Sequence, residues 1–288
     1  MVNIGFIGAG TVGTALAVRL SERGYPILAV ASRSRGSAEK FAGRISGCRV
    51  AESNQEVAAL TDLIFITTSD DAIASVVNAV KWRQGQSVVH CNGSASTDIL
   101  EGARRAGAQV GGFHPLQTFA GLYEALENLP GSTLAIEAEE PLYSALTQMA
   151  RDLGGRSIRL KADEKVLYHI AAVITSNYMV ALMKMATDLW QTFGVPIEEA
   201  TQALLPLLRG TVNNIAKVGL PHCLTGPIAR GDIGTLRGHL AALRERAPGV
   251  LEAYRQLGLQ AIPVALAKGK IDPETAGKMK ALLEDKRS

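Results

Sequence analysis

The sequence predicts an α/β fold in which an N-terminal Rossmann-like domain, residues 1–161, precedes an all-α C-terminal domain, residues 162–288. Over the first domain, short apolar runs rich in β-branched residues alternate with segments of helical periodicity. That alternation is typical of a parallel sheet covered by helices on both faces. After Lys161 the strand pattern stops and helical periodicity continues. A chain of 288 residues, 47% of them hydrophobic, can bury a core in each of two domains.

Eight strands are predicted in the first domain: Val2–Ile7, Ile27–Ala31, Arg49–Ala51, Leu63–Thr67, Ser87–Cys91, Gln109–Phe113, Thr133–Glu137 and Ser157–Leu160. In the second domain, apolar periodicity predicts helices over residues 163–192, 197–218, 233–246, 249–267 and 273–285. We expect the helix over 197–218 to end at Gly219 and to kink at Pro206. Asp272 and Pro273 are typical of the N-cap and first turn of the last helix.

Composition limits the classes of function. The 30 basic and 27 acidic residues give a formal net charge of +3, which provides no broad field for nucleic acid. The cysteines, Cys48, Cys91 and Cys223, form neither a disulfide framework nor a C-x-x-C pair, so no metal is expected. The first apolar run ends too early for a secretory signal. The run Ile170–Ala186 is interrupted by polar residues and too short to span a membrane, so we expect a core helix there. We therefore expect a cytoplasmic protein.

A glycine turn follows the first strand. The segment Gly8-Ala9-Gly10-Thr11-Val12-Gly13 matches G-x-G-x-x-G and leads into a helical pattern over Thr14–Arg23. The first glycine permits the tight turn, the second lets a pyrophosphate approach, and the third allows close packing of helix and strand. Free amides at the helix start bind the negative charge. A glycine turn can also bind nothing, but the strand and helix on either side favour a bound dinucleotide.

The end of the second strand indicates which dinucleotide is bound. An NAD enzyme usually carries an acidic residue there for the ribose hydroxyls, whereas this chain has Ser32-Arg33-Ser34-Arg35. Guanidinium groups form paired, charge-assisted hydrogen bonds to phosphate oxygens. NADP, in its reduced form NADPH, is therefore the predicted cofactor, with Ser32, Arg33 and Ser34 at its 2′-phosphate. The alternative is that these arginines are solvated surface residues.

Two further groups of polar residues follow strands of the same predicted sheet. Because ligands bind beyond the carboxyl ends of such strands, we expect these residues to line the cofactor. They are Thr67, Thr68 and Ser69 after the fourth strand, and Asn92, Gly93 and Ser94 after the fifth. The adjoining Asp70 and Asp71 are equally typical of a helix cap.

A histidine is expected where the sixth strand ends. Reduction of a carbonyl needs a group that orients the oxygen and an acid that protonates it. His114 lies in Gly111–Phe119, and Pro115 would hold it extended, with Gln117 as a candidate substrate contact. A structural histidine bonded to the backbone is the alternative.

The long helix predicted over 163–192 carries a polar arc. At about 100° per residue, one face receives Lys165, His169, Ser176, Asn177 and Lys184, with small apolar residues between them. Asparagine has weak helix propensity, so its position favours a hydrogen-bonding role. Asn177, His169 and Ser176 are therefore candidate catalytic residues, and a core amide joining two helices is the alternative for Asn177.

The loop Leu224–Asp232 combines glycines and a proline with a charged pair. It could close over a site, with Arg230 binding a substrate carboxylate. The alternative is a rigid turn in which Asp232 caps the next helix.

Together the segments GFIGAGTVG, HCNGS, GFHPLQTF, YHIAAVITSNY and LTGPIARGD resemble a family of Rossmann-like proteins with a C-terminal helical domain of unknown function. That family is similar to pyrroline-5-carboxylate reductases and to 6-phosphogluconate and hydroxyacid dehydrogenases. Some members are regarded as an alternative type of ketopantoate reductase. The resemblance implies NADPH-dependent reduction of 2-dehydropantoate to pantoate, a step of pantothenate biosynthesis, and a homodimer formed through the helical domains.

One position departs from these relatives. Hydroxyacid dehydrogenases and the usual ketopantoate reductases have a catalytic lysine four residues before the helix asparagine, whereas this chain has Val173 there. The acid would then be His114, His169 or Lys165. The leading hypothesis is an NADPH-dependent reductase of a small 2-oxo acid. The alternatives are a non-catalytic NADP-binding sensor or partner protein, which the missing lysine suggests, and a reductase that passes hydride between a deazaflavin and NADP.

Overall fold

The computed structural model describes residues 2–285 and divides the chain into two compact units, Met1–Asn177 and Tyr178–Ser288. The first unit extends past the predicted domain boundary at residue 161. It does so because the helix that follows this boundary makes its polar contacts with the sheet: Lys165 lies against Glu137, and Tyr168 is hydrogen-bonded to His114. The domain boundary between residues 161 and 162 therefore stays a prediction.

An eight-stranded sheet forms the centre of the first unit. Its strands are β1 Ile4–Ile7, β2 Ile27–Ala31, β3 Arg49–Val50, β4 Leu63–Ile66, β5 Ser87–His90, β6 Gln109–Leu116, β7 Thr133–Ala138 and β8 Arg156–Arg159. Their order is β3-β2-β1-β4-β5-β6-β7-β8. The order turns back at β1, and ligands bind beyond the carboxyl ends of strands at such a switch point. All eight predicted strands are present.

The sheet is not wholly parallel, which corrects one expectation. Strands β1 to β6 are parallel, but β6 and β7 pair antiparallel, with His114 opposite Ala135 and Leu116 opposite Thr133. Pairing with β7 carries β6 three residues past the predicted end at Phe113. His114 therefore lies within a strand, held in register by a neighbour, and not in the loop that follows.

Seven helices of the first unit cover the two faces of the sheet or connect its strands: α1 Thr11–Glu22, α2 Arg35–Ala42, α3 Asn54–Leu60, α4 Ile73–Ala79, α5 Glu101–Arg105, α6 Leu122–Asn128 and α7 Leu142–Asp152. Consecutive residues of β1 lie in different cores, since Phe6 belongs to one apolar cluster and Ile7 to another. This is the two-residue period of a strand buried on both faces. Within the first cluster, the Phe65 ring stacks on Phe6 at 5.2 Å and tilts against Phe113 at 6.0 Å.

The helix predicted over 163–192 is divided. Residues Ala162–Glu164 form a 3₁₀ turn, α8 spans Lys165–Thr175, and α9 spans Asn177–Gln191. At Ser176 the φ of −107° departs from the usual helical value of about −63°. The Thr175 hydroxyl donates to the carbonyl of Ala171 at 2.9 Å, a bond of the kind that bends helices. Three consecutive residues of weak propensity, Thr175 to Asn177, therefore interrupt the helix.

The segment Ala162–Gln191 is long and apolar enough to cross a membrane by length and composition alone. One such segment is weak evidence for a span. Lys165, near its start, is buried, but none of its most apolar stretch is buried within residues 2–285. The core helix predicted for the run 170–186 is therefore not buried in this chain.

The second unit follows the predicted helix pattern closely. Its further helices are α10 Ile197–Val218, α11 Gly226–Arg230, α12 Ile233–Arg246, α13 Pro248–Ala267 and α14 Pro273–Glu284. Gly219, at φ +75°, ends α10 as predicted, and the Asp272 carboxylate caps α14 by accepting from the Thr275 amide at 2.7 Å. The short helix α11 was not predicted. Asp232 caps α12, which bears out the alternative interpretation of that loop.

We expect Phe65→Ala to lower the free energy of unfolding by about 3–5 kcal/mol, because the fully buried ring leaves a cavity between two other rings. Urea denaturation followed by circular dichroism measures the change. Tyr123→Ala is the control: its side chain is 83% exposed, so the expected change is within about 0.5 kcal/mol. A loss below about 1 kcal/mol for Phe65→Ala would contradict the central position given to this ring.

Candidate functional site

The loop between β1 and α1 is held open by contacts with neighbouring strands. Gly8 has φ +108°, which glycine adopts without strain, and its amide donates to the carbonyl of Ala31 at 2.8 Å. The Thr67 hydroxyl donates to the Gly8 carbonyl at 2.8 Å. A Cβ at Gly13 would collide with the Thr67 side chain. Two of the three motif glycines are thus required by close packing against Thr67.

The start of α1 presents unused backbone donors. Gly10 is the N-cap, has no side-chain capping bond, and no acidic residue lies in the first turn. The nearest atom to a Cβ built at Gly10 is the Thr67 carbonyl oxygen at 3.8 Å, so the backbone there is open to an approaching group. Helix-start amides with no acidic neighbour bind anions. The loop Gly8 to Gly13, including Ala9, Thr11 and Val12, therefore fits the pyrophosphate of a dinucleotide.

A cavity of about 750 Å³ adjoins this loop. The predicted cofactor residues that line it are Gly8, Ala9, Gly10, Ser32, Arg33, Ser34, Thr67, Thr68 and Ser69. The structure separates the two arginines of the Ser32–Arg35 segment. Arg35 pairs with Glu39 at 3.1 Å and with Glu52 at 3.5 Å, while Arg33 has no ion pair within residues 2–285. Arg33 is therefore the guanidinium available to a phosphate in this cavity.

Two of the predicted cofactor hydroxyls also have structural bonds. The Ser34 hydroxyl accepts from the Ser37 amide at 3.3 Å and caps α2. The Thr67 hydroxyl donates a hydrogen bond to the Gly8 carbonyl in the glycine loop. Asp70 and Asp71 lie in the first turn of a 3₁₀ helix that leads into α4, but its N-cap is Ser69 and no side chain makes a capping bond there, so the capping alternative is not borne out. Ser34 and Thr67 therefore both line the cavity and stabilise the backbone around it.

A second cavity, of about 310 Å³, lies between α1 and the ends of β4 and β5. It is lined by Gly10, Thr11, Val12, Ile66, Thr67, Thr68, Ser69, Asp70, Ile73, Cys91, Asn92 and Phe119. The Asn92 side-chain oxygen accepts from the amides of Ser94 at 2.7 Å and Ala95 at 2.6 Å. Asn92 therefore fixes the loop that contains Gly93, as an Asx turn does.

Two histidines meet at Gly93. A Cβ at this position would lie 2.7 Å from Cδ2 of His169 and 2.8 Å from Nε2 of His114. The two imidazole centroids are 6.3 Å apart. Glycine is needed at residue 93 because the imidazoles occupy the space a side chain would fill. The structure thus brings together His114, His169 and the Asn92–Ser94 loop, which the sequence placed on three separate elements.

A hydrogen bond of 2.8 Å joins His114 Nδ1 to the Tyr168 hydroxyl. Burial, then His169 and Lys165, lower the pKa of His114 to about 4, and burial raises the pKa of Tyr168 above its usual range. Both groups are neutral at pH 7. If Nδ1 holds the imidazole proton, the tyrosine hydroxyl proton is free, and if tyrosine donates to Nδ1, the Nε2 proton is free. In either tautomer the pair keeps one proton to donate.

A buried ion pair lies beside this cluster. The Nζ of Lys165 is 3.2 Å from Oε2 of Glu137, and the two side chains are only 3% and 12% exposed. The other carboxylate oxygen of Glu137 accepts from the amide and hydroxyl of Thr97 at 3.0 and 2.9 Å. A Cβ at Gly112 would lie 2.9 Å from Nζ of Lys165. The bare backbone of β6 therefore makes room for the ammonium group.

His90, at the end of β5, completes the buried set. Its Nδ1 accepts from the Asn92 amide at 3.1 Å, so Nε2 holds the proton. Burial and the charge of Lys165 lower the pKa of His90 to about 3. Burial raises the pKa of Cys91 to about 12. The groups around Lys165 are thus held uncharged, and Glu137 alone balances its charge.

Sequence reasoning missed Tyr168, Glu137 and His90. Tyr168 follows Lys165 by three residues and precedes His169 by one, so helical spacing could have placed it on the same arc. Glu137 is a carboxylate inside an otherwise apolar strand, which is itself a signal of a buried partner. His90 ends a strand next to a predicted cofactor loop. Lys165 was considered only as one alternative acid.

Other predicted residues lie outside this cluster or are otherwise engaged. Asn177 is exposed at the start of α9, and Ser176 lies at the break before it. The Gln117 amide donates to the Asn128 carbonyl at 3.2 Å, and its oxygen accepts from the Thr118 amide at 2.9 Å, which stabilises its own loop. Arg230 belongs to the second unit. Substrate roles for these four residues stay predictions.

Two families match the sequence. Residues 3–93 match the family described as NADP oxidoreductase coenzyme F420-dependent, and residues 132–261 match a domain of unknown function, DUF2520. A comparison with curated proteins finds no match.

Solved structures share the fold over nearly the whole chain. A protein from Bacteroides fragilis, provisionally described as an NADP oxidoreductase, is 25% identical, with a TM-score of 0.72 over 91% of this chain and 98% of its own. A reductive aminase from Aspergillus terreus, in complex with NADPH and ethyl-5-oxohexanoate, is 18% identical, with a TM-score of 0.62 over 99% and 93%. A 1-pyrroline-5-carboxylate reductase from Streptococcus pyogenes is 16% identical, with a TM-score of 0.63 over 97% and 98%. The last two show the shared fold.

These findings confirm the predicted fold class and the predicted NADP-type oxidoreductase family. Residues 3–93 are therefore similar to the NADP-binding part of the coenzyme F420-dependent NADP oxidoreductases, and residues 132–261 are similar to DUF2520.

Proposed function

We propose that this protein is an NADPH-dependent reductase of a C=O or C=N bond in a small molecule, with the Tyr168–His114 pair as its proton donor. The observation that carries the proposal is the 2.8 Å hydrogen bond between these side chains, held beside the Asn92–Ser94 loop. That loop adjoins the cavity whose other wall is the start of the dinucleotide-binding helix.

Cofactor binding is supported by the open backbone at Gly10 and by the unpaired guanidinium of Arg33. The α1 amides would hold the pyrophosphate, and Arg33 the 2′-phosphate that distinguishes NADPH from NADH. When bound, NADPH supplies a hydride. The Bacteroides and Aspergillus relatives are described respectively as an NADP oxidoreductase and as an NADPH complex, which agrees with this choice.

The residues of this chain supply the proton and a positive charge that stabilises the negative charge formed on the substrate. A neutral pair can donate a proton to the oxygen or nitrogen that gains negative charge as the hydride arrives. His169 packs edge-on to His114 and limits its movement. The buried Lys165 keeps positive charge near the cluster, which favours a substrate atom that becomes negative.

Ketopantoate remains the leading 2-oxo acid candidate on the sequence resemblance, and cyclic imines are added because of the pyrroline-carboxylate and aminase relatives. The test is NADPH oxidation by the purified protein with ketopantoate, a panel of other 2-oxo acids, and 1-pyrroline-5-carboxylate. Turnover of one substrate class supports the proposal. Nucleotide binding by calorimetry without turnover of any member would instead support the non-catalytic sensor.

The deazaflavin alternative is favoured by one observation, the family description that names coenzyme F420. The match covers only residues 3–93, which is the dinucleotide-binding part. A separate assay arm therefore follows the absorbance of oxidised coenzyme F420 with NADPH. Reduction of F420 without reduction of any carbonyl or imine would select this alternative.

The predicted homodimer and cytoplasmic location stay predictions. Apolar side chains exposed on α10, such as Leu207 at 69% and Val212 at 54%, support a second copy of the chain as the partner of this helix. Light scattering of the purified protein gives its mass in solution and decides the oligomeric state.

We expect Arg33→Gln to weaken NADPH binding by about 10–100-fold, because a charge-assisted bond to phosphate contributes roughly 1.5–3 kcal/mol. NADH binding should be unchanged, since NADH lacks the 2′-phosphate. Calorimetric titration with both nucleotides measures the two constants. Arg35→Gln is the matched control and should change NADPH binding less, because Arg35 is paired with acidic side chains. Equal losses for the two nucleotides, or for the two variants, would contradict the assignment.

Tyr168→Phe should lower kcat by about 10²–10⁴-fold while NADPH affinity changes by less than about twofold, because the hydroxyl acts in the chemical step. Steady-state kinetics and calorimetry give the two quantities. Tyr123→Phe, at a tyrosine 83% exposed in the same unit, is the control and should leave both unchanged. Full activity of Tyr168→Phe would remove the tyrosine from the mechanism.

The acid limb of the kcat/KM profile, which reports the free enzyme, should lie near pH 4 and not near 6.5, because His114 stays neutral until its lowered pKa is reached. Lys165→Met combined with Glu137→Gln should move this limb to higher pH, since one charge that lowers the pKa of His114 is removed without stranding its partner. Lys161→Met, at an exposed lysine, is the control. An acid limb at 6.5 in the unmodified protein, or one unmoved in the double variant, would refute this electrostatic description.

A further inference from the structure

A cavity of about 470 Å³ in the second unit has an all-basic charged lining. Three of its lining residues, Arg230, Lys268 and Lys270, are cations, Thr225 contributes a hydroxyl, and none of the remaining lining residues is charged. Arg230 is the last residue of α11, and the two lysines lie just after the end of α13. Three positive charges are therefore gathered around one concave surface without a carboxylate among them.

The acidic residues closest in sequence are committed to helix caps. The Asp232 carboxylate accepts from the Thr235 amide at 2.9 Å and from its hydroxyl at 2.7 Å. The Asp272 carboxylate accepts from the Thr275 amide at 2.7 Å. Within residues 2–285, Arg230, Lys268 and Lys270 form no ion pair. The pKa of Asp232 is lowered by its bonds to Thr235 and, to a smaller extent, by Arg230. The three cations thus keep a net positive charge that no ion pair within residues 2–285 neutralises.

The cavity is also partly preorganised. The Lys268 ammonium donates to the Leu224 carbonyl at 2.7 Å, which fixes its position and leaves two of its three N–H donors for another acceptor. Gly226, at φ +90°, has no atom within 4 Å of where a Cβ would lie. The backbone at the cavity mouth is therefore accessible as well.

We propose that this cavity binds a compact dianion, with Arg230 and Lys268 as its principal contacts and Lys270 completing the charge. A guanidinium binds two oxygens of one group side by side, and ammonium groups add point charges, so two negative charges on one small group fit this arrangement. A phosphoryl group and a short dicarboxylate share that chemistry. The site is formed by residues of the second unit alone, and the proposal does not depend on the proposed reduction.

The test is calorimetric titration of the full chain with inorganic phosphate and, in a second arm, with malonate, at constant ionic strength set by sodium chloride. Both dianions should bind, and acetate should bind more weakly than either because it carries one charge. If only phosphate or only malonate binds, the result shows whether the cavity prefers a phosphoryl group or a dicarboxylate. Equal responses to acetate and to the dianions would overturn the proposal.

Variants locate the binding. Arg230→Gln should weaken phosphate binding by about tenfold or more, and Lys270→Gln by a smaller factor, because each removes a charge-assisted contact. Arg237→Gln, an exposed arginine on α12 outside the cavity, is the matched control and should have no effect. All three residues are exposed, so folding should survive, and circular dichroism checks it.

The dinucleotide loop could also take up phosphate, so the titrations are repeated with Arg33→Gln. Binding that is lost in Arg230→Gln and kept in Arg33→Gln belongs to the second unit and supports the proposal whether or not the protein proves to be a reductase. Binding that is lost in Arg33→Gln and kept in Arg230→Gln, or no binding at all, overturns it.

Discussion

The buried ion pair between Lys165 and Glu137 is the constraint on which the candidate site depends. A charged ammonium is rarely buried without a partner, and here Nζ lies 3.2 Å from a carboxylate that is itself anchored by Thr97. This pair fixes the first turn of α8 against β7. Tyr168 and His169 then follow on the same helix, one turn later, and meet His114 above Gly93. The ion pair and the Tyr168–His114 hydrogen bond together set the register of this helix on the sheet.

Two glycines make the arrangement sterically feasible. Gly112 leaves room for the ammonium of Lys165, and Gly93 leaves room for both imidazoles. Neither is required by its backbone angles, since neither has a positive φ. Each glycine is needed because a Cβ there would collide with Lys165 or with the two imidazoles, which belong to other elements of the fold. The cost of burying one charge is limited because the neighbouring histidines, His90 and His114, are held neutral.

The position of the lysine distinguishes this chain from the dehydrogenases it resembles. In those relatives a lysine precedes the helix asparagine by four residues, and here Val173 stands at that place. The lysine of this chain enters at the start of the helix, is paired and buried, and lies beside a tyrosine–histidine pair. A neutral donor beside a fixed positive charge can perform the task that a single ammonium performs elsewhere, since proton donation and charge stabilisation are separable.

The sequence by itself determined the elements and the cofactor end. Strands, helix limits and caps such as Asp272 follow from local periodicity and propensity, and the glycine turn acts through neighbouring backbone amides. Only the tertiary structure decided the antiparallel pairing of β6 with β7, the break at Ser176, and the partners of His114. The whole of α7 and β8 lies between Glu137 and Lys165, and His114 and Tyr168 are separated by still more of the chain. Such contacts depend on how elements pack, which residue spacing along one element does not encode.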